Sequence, residues 1–592
     1  MAGVVLETLN VWKLSAFGTL MFIALVSFFV IGGLVSPSPN SSEQILMSRC
    51  VDYSGDSSKW IYVRHFESNG SGTNCGEILP DGDLDEVIPE GVDENQLVFV
   101  AQFPHPRDGY KLTMTRWFQQ IIAVLMLDIK HKFGNRLIAN DAKILFDLRL
   151  GYRNGDDPKG VWHELAHSIE TRPLRCTPDP AAKDHLNQLR PSDSDFYYEC
   201  EVIPLFSLAS CHHEEYVLNL RIPKDVNGSL GQSGSVLQDV WMVEIHQNGG
   251  FTKIWFSLKT MVFPFSVLAL CFFVYRVREL NRPFTVLDRT VVVLGSGLIL
   301  LNCPVEWISL VWNSSFWIIL SDIRQGFFFA VLACFLLVFT GEHMMDKSPS
   351  VNRVYWPRLL LVITSCTSLS IFELAERGVQ IRNPFYSIWS HPTAAKLGIA
   401  SIAVAAVCAA VYTGYLALLI FRALLQIFSK RRLLTRLPAE QCTYYKGVIY
   451  RFIVLISCTS VCAGLTIAFF MFNRLTEDRW TWGERSVEYG SAFITGVYGM
   501  WNVYVISILC LYAPSHKFRS SSGRELYGRL VSSTAVAATD PCQQADLDLS
   551  GRSEGIPLCP MSVDDSGQTC LTDEVGPTGP GGLKFLRKVA ID

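Results

Sequence analysis

At 592 residues the chain is too long for one ordinary globular domain. Its formal net charge of −4 supplies no broad positive field, which excludes a nucleic-acid binder working through bulk charge. Apolar residues reach 49% and mean hydropathy is +0.24, high for a soluble protein, and Lys and Arg sit locally beside apolar runs, which points to membrane-embedded segments.

The first apolar run is Leu14–Val35. About 20 residues cross a bilayer core, whereas the apolar stretch of a cleaved signal peptide is about 7–15, so the run reads as an uncleaved anchor. Residues 1–35 form this N-terminal unit.

Residues 36–253 are polar, charged and rich in turn residues. Ile144–Tyr152 and Tyr216–Ile222 alternate apolar and polar positions, as half-buried strands do. Leu97–Phe103 and Val240–His246 add two more strands. Ile121–Leu127 is apolar but too short to span, so it reads as a buried strand. An all-β, sandwich-like domain is the economical picture. Sequons at Asn40, Asn69 and Asn227 lie in this region and agree with a lumenal or extracellular side. That side is oxidising, and nearest-neighbour pairing joins Cys50 to Cys75 and Cys176 to Cys200, leaving Cys211 odd.

Beyond Ile254 the pattern is membrane-like. Spans are expected at Ile254–Tyr275, Val291–Trp312, Phe316–Thr340, Trp356–Leu374, Ala395–Phe428, Val448–Phe472 and Ser491–Tyr512, within a bundle covering residues 254–512. With the anchor this makes eight spans, so both ends face one side. The basic clusters Arg276, Arg278, Arg282, Arg289 and Lys430, Arg431, Arg432, Arg436 mark that side as cytosolic. The large domain is then lumenal, in agreement with the sequons. Residues 513–592 are rich in Ser, Gly and Asp with few aromatics and read as a disordered cytosolic tail.

Several motifs carry chemistry. His163-Glu-Leu-Ala-His167 fits H-E-x-x-H, which on a helix sets two imidazoles one turn apart for zinc. Chance is the rival: a match arises in on the order of one such chain in a hundred. Pro173 follows closely and no third ligand is forced by spacing, so no metal is assigned.

Glu306, Asp322, Arg324, Glu373, Glu376 and Arg377 lie inside spans or at their ends. Each costs about 2.5–3.5 kcal/mol at membrane depth, so such groups face a bundle interior or a wet cavity. Two readings stand: a polar network lining a cavity, or ion pairs that tie helices together. Phe327, Phe328 and Phe329 either line an apolar pocket or face lipid.

Asn383-Pro-Phe385-Tyr386 reads as a turn packing aromatics at the membrane surface. Tyr445-Lys-Gly-Val448 and Tyr527-Gly-Arg-Leu530 have a tyrosine with a bulky apolar residue three on, a pattern that sorting adaptors read. The copy in the loop between the sixth and seventh spans is the better placed. No phosphate-binding glycine loop, dinucleotide fingerprint or nucleophile elbow is present in a credible context, so neither an enzyme nor a cofactor is assigned.

Longer stretches resemble the Wntless family, the membrane carriers of lipid-modified Wnt proteins. They are IHQNGGFTKIWF (Ile245–Phe256), CPVEW (Cys303–Trp307), DIRQG (Asp322–Gly326), GEHMMD (Gly341–Asp346), ERGVQ (Glu376–Gln380), NPFYSIW (Asn383–Trp389), TGVYGMWNVYV (Thr495–Val505) and LYAPSHK (Leu511–Lys517). The resemblance covers residues 1 to about 517 in order.

It implies a multi-pass α-helical bundle of eight spans, seven of them receptor-like, beneath the lumenal β domain. It implies further that the acyl chain of a Wnt protein enters a membrane-embedded cavity, with Glu306, Asp322, Arg324, Phe327, Phe328, Glu373, Glu376, Arg377, Phe385 and Tyr386 as the lining or polar network. Cycling among Golgi, plasma membrane, endosome and endoplasmic reticulum would engage clathrin adaptors and retromer-type sorting machinery, through the signal at Tyr445 and Val448.

The tail after Lys517 carries no usable resemblance, and Lys588-Val-Ala-Ile-Asp592 is not an obvious retrieval signal. A G-protein-coupled signalling receptor is the second reading. Against it, Asp288-Arg289-Thr290 precedes the third span and the last span lacks N-P-x-x-Y.

Overall fold

A computed structural model describes residues 4–515 apart from 53–60, 64–77, 80–95, 106–111, 132–136, 140–141, 159–160, 179–195, 224–235, 280–283, 313, 315, 344–350, 435–438 and 478–489. Cys75, Asn69, Asn227, Asn313 and the tail therefore lie outside the described residues.

Among the described residues, twelve strands build the β domain: β1 (Asn40–Leu46), β2 (Ser48–Val51), β3 (Ile78–Leu79), β4 (Leu97–Phe103), β5 (Ile121–His131), β6 (Lys143–Arg153), β7 (His163–Pro173), β8 (Cys176–Pro178), β9 (Phe196–Cys200), β10 (Ile203–Leu208), β11 (Glu215–Arg221) and β12 (Val236–Gln247). They form two antiparallel sheets. One runs β1-β12-β5-β9-β8 with β10 also on β5, the other β3-β2-β4-β11-β6-β7.

Strict alternation along β5 puts Ile121, Ala123, Leu125, Leu127 and Ile129 on one buried face. They meet Phe99, Phe103, Phe146, Leu148 and Tyr216 of the opposite sheet in a single core. Every residue of β11 is buried, so its polar positions need partners. Arg221 pairs with Asp52, and Asn219 both accepts from the Tyr62 amide (2.6 Å) and donates to its carbonyl (2.9 Å).

Cys176 and Cys200 face each other in register and form a disulfide. Cys50 is also disulfide-bonded, while Cys211 is buried and carries no disulfide. Burial pushes the Cys211 thiol well above its ordinary range, and the nearby Glu244 carboxylate adds to the shift.

Among the described residues, eight helices are long and apolar enough to cross a membrane. They are α1 (Val11–Val30), α2 (Gly249–Glu279), α3 (Val286–Asn302), α4 (Phe316–His343), α5 (Val351–Gln380), α6 (Pro392–Leu434), α7 (Ala439–Glu477) and α8 (Gly490–Leu511). The Val5 amide donates to the Ala513 carbonyl at 2.8 Å, so the flanks of α1 and α8 share one end of the bundle.

Two expectations are corrected. The span expected over Val291–Trp312 breaks after Asn302, and a separate short turn covers Glu306–Ser309. Pro304 has no N–H and disfavours helical geometry in the residue before it. The loop expected to hold Tyr445 and Val448 is instead helix, because nothing after Pro438 breaks α7. The α6 helix is also longer than its apolar run, about 65 Å at 1.5 Å per residue against a core of about 30 Å.

The first helix is held by the last. Thr495 Oγ1 donates to the Phe28 carbonyl at 3.2 Å, and Ser491 Oγ donates to the Gly32 carbonyl. Gly496 and Gly499 let the rings of Phe29 and Phe28 lie directly on the α8 backbone. A side chain at Gly499 would run into the Phe28 ring. Overpacking of this kind costs about 1–3 kcal/mol. We expect Gly499→Val to lower the melting temperature of the purified chain in detergent, followed by tryptophan fluorescence. Gly414→Val, where the added atoms meet open space, is the control and should change stability by about 0.5 kcal/mol or less.

Candidate functional site at the junction of the β domain and the bundle

The charged residues expected within the helices divide into two groups, facing opposite sides of α4. The first centres on Glu306. Lys259 of α2 donates to its Oε1 at 2.6 Å, and Arg324 of α4 pairs with the same oxygen. Arg324 also donates to the Cys303 carbonyl at 2.7 Å, a group exposed by the Pro304 break. Lys259 and Arg324 are both almost fully buried. Removing one partner of such a group typically costs about 3–5 kcal/mol, so this is a fastening among α2, the broken end of α3 and α4.

A neutral network adjoins it. Asn302 donates to Ser266 Oγ (3.0 Å) and to Asn502 Oδ1 (2.6 Å), and accepts from the Tyr498 hydroxyl (2.6 Å).

The second group lies between α4 and α5. Arg377 reaches Asp322 at 3.4 Å and Glu373, one turn away on its own helix, at 2.9 Å. Glu376 is half-buried beside them. These side chains are roughly a third to a half exposed, so the pairs are weak ties by comparison with the Glu306 group.

The two groups give α4 two unlike faces. Arg324, Phe328, Leu332 and Phe335 follow one another at helical spacing and are all buried. Asp322, Gly326 and Phe329 form another face, and there the β-domain half of the helix is open. The Phe329 ring meets Trp501 of α8 edge-on at 6.2 Å, so it points into the bundle, yet it is 40% exposed. A Cβ added to Gly326 would find no atom within 4 Å. Further along, Val331, Leu332, Phe335, Leu337, Val338 and Phe339 are all buried. Phe339 stacks on Phe452 of α7 with centroids 6.1 Å apart. The helices thus part at the β-domain end and close at the other.

Besides the chain connections of β1 to α1 and β12 to α2, two tethers among the described residues join the β domain to this end. At the first, Arg116 donates to the Leu310 carbonyl (2.9 Å), and the Trp117 ring packs against Phe256 and Trp307. At the second, the loop between α5 and α6 enters the β domain. The Ser207 amide donates to the Pro384 carbonyl (3.0 Å), and Asn383 donates to Ser168 (3.3 Å). Arg172, itself buried, donates to the Phe385 carbonyl and the Ser390 hydroxyl. Burial draws its guanidinium pKa down, and Glu170 at 3.6 Å counters the shift.

These positions correct several expectations. Phe385 lies in the core of the β domain, 5.9 Å from the Phe206 ring, and lines no space between helices. Tyr386 stacks on His391. Phe328 is core, Phe327 points outward on the α3 flank, and Phe329 is the ring that faces the opening. The H-E-x-x-H motif lies on strand β7, not on a helix. Four residues along a strand separate His163 and His167 by about 13 Å, too far to share one ion. His167 instead meets Asp147 of β6 at 2.8 Å, and His163 lies 3.5 Å from Asp157. Asn40 opens β1 and is exposed; the side chains of Tyr445 and Val448 lie outside the described residues.

Lys259, Arg116, Trp117, Arg172, Asn302 and Tyr498 were not among the expected site residues. Lys259 carried a signal, a charge well inside an apolar run; Arg172 carried none, being one of many arginines in a polar domain.

An eight-helix membrane bundle tethered twice to an antiparallel β domain defines a class of multi-pass membrane protein with a folded domain outside the bilayer. Residues 248–516 match the family described as Wntless-like, transmembrane domain, and residues 48–247 match Wntless, GOLD domain. The protein named wntless of Drosophila grimshawi is 39% identical over 527 residues, covering 87% of this chain and 90% of its own length. The wntless homologs of Rattus norvegicus and Homo sapiens are each 35% identical over 524 residues, covering 87% of this chain and 92% of theirs. The chain belongs to the Wntless family, and that membership supports a role connected with Wnt secretion.

Replacing a core phenylalanine by alanine costs about 3–5 kcal/mol. We expect Phe385→Ala to destabilise the β domain by about that amount in denaturant titrations of the whole chain. Trp389→Ala in the same loop removes a ring that is 54% exposed and should cost far less. Equal losses would show that the loop is not seated in the core.

Proposed function

We propose that the chain is a non-enzymatic cargo receptor that binds lipid-modified Wnt proteins and carries them from the Golgi to the plasma membrane. In this reading the acyl chain lies in the opening beside α4 and the β domain grips the protein part of the cargo. The observation that carries it is the contrast along α4, open at Gly326 and Phe329 and closed from Val331 onward.

The physical need is clear. Each methylene of an acyl chain adds about 0.8 kcal/mol of membrane affinity, so a chain of roughly a dozen holds a secreted protein to the bilayer by about 10 kcal/mol. Bilayer and protein interior are similarly apolar, so an acyl chain gains little by moving between them. The bundle therefore gives the chain an equivalent site, and contacts with the protein part supply selectivity.

The wider reading has the domain of residues 36–253 in the lumen, with glycans on Asn40, Asn69 and Asn227 and disulfides Cys50–Cys75 and Cys176–Cys200. Residues 1–35 and 254–512 lie in or beside the bilayer, and the tail of residues 513–592 is cytosolic. Asp322, Glu373, Glu376 and Arg377 form the polar mouth. Recycling through endosomes uses clathrin adaptors and retromer-type machinery. Tyr445 and Val448 supply the sorting signal for that contact.

The test is co-purification of a Wnt protein from cells that lack this chain and re-express it. The acylated cargo should be retained, and cargo whose acyl-bearing serine is replaced should be lost. Equal recovery of both would overturn the acyl-binding mechanism.

A further inference from the structure

The face of α4 that is open at Gly326 continues through Ala330 to Ala333, at spacings of four and three residues. At Ala333 it is shut. Tyr412 of α6 crosses to α4 there, and its hydroxyl donates to the Ala333 carbonyl at 3.0 Å. Directly beyond lie Leu337 of α4, Val362 of α5 and Leu419 of α6, all buried together, with Cys334, Cys366 and Tyr415 packed against them. A hydroxyl at this depth needs a partner, and a helix carbonyl on the facing element is one. The bond therefore holds the ring across the gap between α6 and α4.

We infer that Tyr412 is the floor of the acyl site and sets the longest chain it accepts. The inference rests on the cargo-receptor reading and adds a specificity-determining residue to it. The rim is the Asp322–Arg377 pair. Eleven residues separate Asp322 from Ala333, and eleven separate Arg377 from Cys366, so both walls place the floor about 17 Å below the rim at 1.5 Å per residue. One leaflet of a bilayer core is about 15 Å, half of the usual thickness. The site is thus as deep as an ordinary lipid chain is long, and a longer chain would have to fold back or leave its carbonyl end outside the rim.

The experiment uses the full chain in cells fed a ladder of alkynyl fatty acids, each two methylenes longer than the last. The Wnt protein recovered with the receptor is then scored for each chain length by click labelling, relative to total labelled Wnt. Each methylene held out of the site should lower recovery by about fourfold, which is 0.8 kcal/mol at 1.4 kcal/mol per decade. Tyr412→Ala should move the cut-off to longer chains by at least one rung. Ala333→Phe, which raises the floor, should move it to shorter ones. Tyr412→Phe keeps the ring but loses the bond that holds it, and should place the cut-off between those of the wild type and Tyr412→Ala.

The position of the cut-off is read, not the yield, so a variant that folds poorly still reports. Superimposable profiles for the wild type, Tyr412→Ala and Ala333→Phe would overturn the floor while leaving acyl binding intact. Recovery that ignores the acyl chain in the wild type would instead overturn the cargo-receptor reading, and the floor with it.

Discussion

The contact on which the bundle depends is the meeting of Lys259 and Arg324 on the single carboxylate of Glu306. Charges at this depth are tolerated only when paired, so Arg324 must face α2 and the broken end of α3. A helix has one rotation about its axis. Once Arg324 is turned inward toward Glu306, Phe328, Leu332 and Phe335 follow into the core, and Asp322, Gly326 and Phe329 are turned to another side. The open face of α4 is thus a consequence of where its arginine is satisfied. Pro304 takes part, because the break it imposes both exposes the Cys303 carbonyl and lets Glu306 turn toward Arg324.

The α5–α6 hairpin is held differently. Its two helices pack chiefly on each other and bury little of their surface against the rest. On the side of the bundle the ties include the half-exposed Asp322–Arg377 pair, the Tyr412–Ala333 hydrogen bond and the small cluster around Leu337, Val362 and Leu419. On the side of the β domain the tie is stronger, since Phe385 is part of that core and Arg172 is bonded to its carbonyl. The wall of the opening formed by α5 therefore belongs mechanically to the β domain as much as to the bundle.

Much of the architecture was legible in the amino-acid order, for physical reasons that also explain the failures. Long apolar runs located the eight membrane helices of the described residues, period-two alternation located β6 and β11, and an apolar run too short to span located β5, with β4 and β12 also expected as strands. Strands β1 and β7 escaped because they lie at sheet edges, where few apolar side chains are required. The same polar edge explains how a zinc-like spacing arose on β7 without a helix beneath it. At the candidate site, the charged residues were visible but their partition was not. Glu306 and Arg324 lie 18 positions apart, yet Lys259, the third member, is 47 from Glu306. Phe385 was misplaced for a related reason: an aromatic residue beside a membrane helix reads as interfacial until a separate domain is known to accept it.

The division of labour between the two tethers follows from their chemistry. Arg116 and Trp117 rest on carbonyl groups and ring edges of the α3–α4 connection and on the buried Phe256 of α2. Phe385 fills a packed interior, where a displacement of even one methyl group's width costs contacts on every side. The β domain also continues directly into the bundle, since β12 ends at Gln247 and α2 begins at Gly249, with Gln247 bonded to Thr252 at 3.0 Å, so it is coupled to α2 through the backbone and to the α5–α6 pair through Phe385.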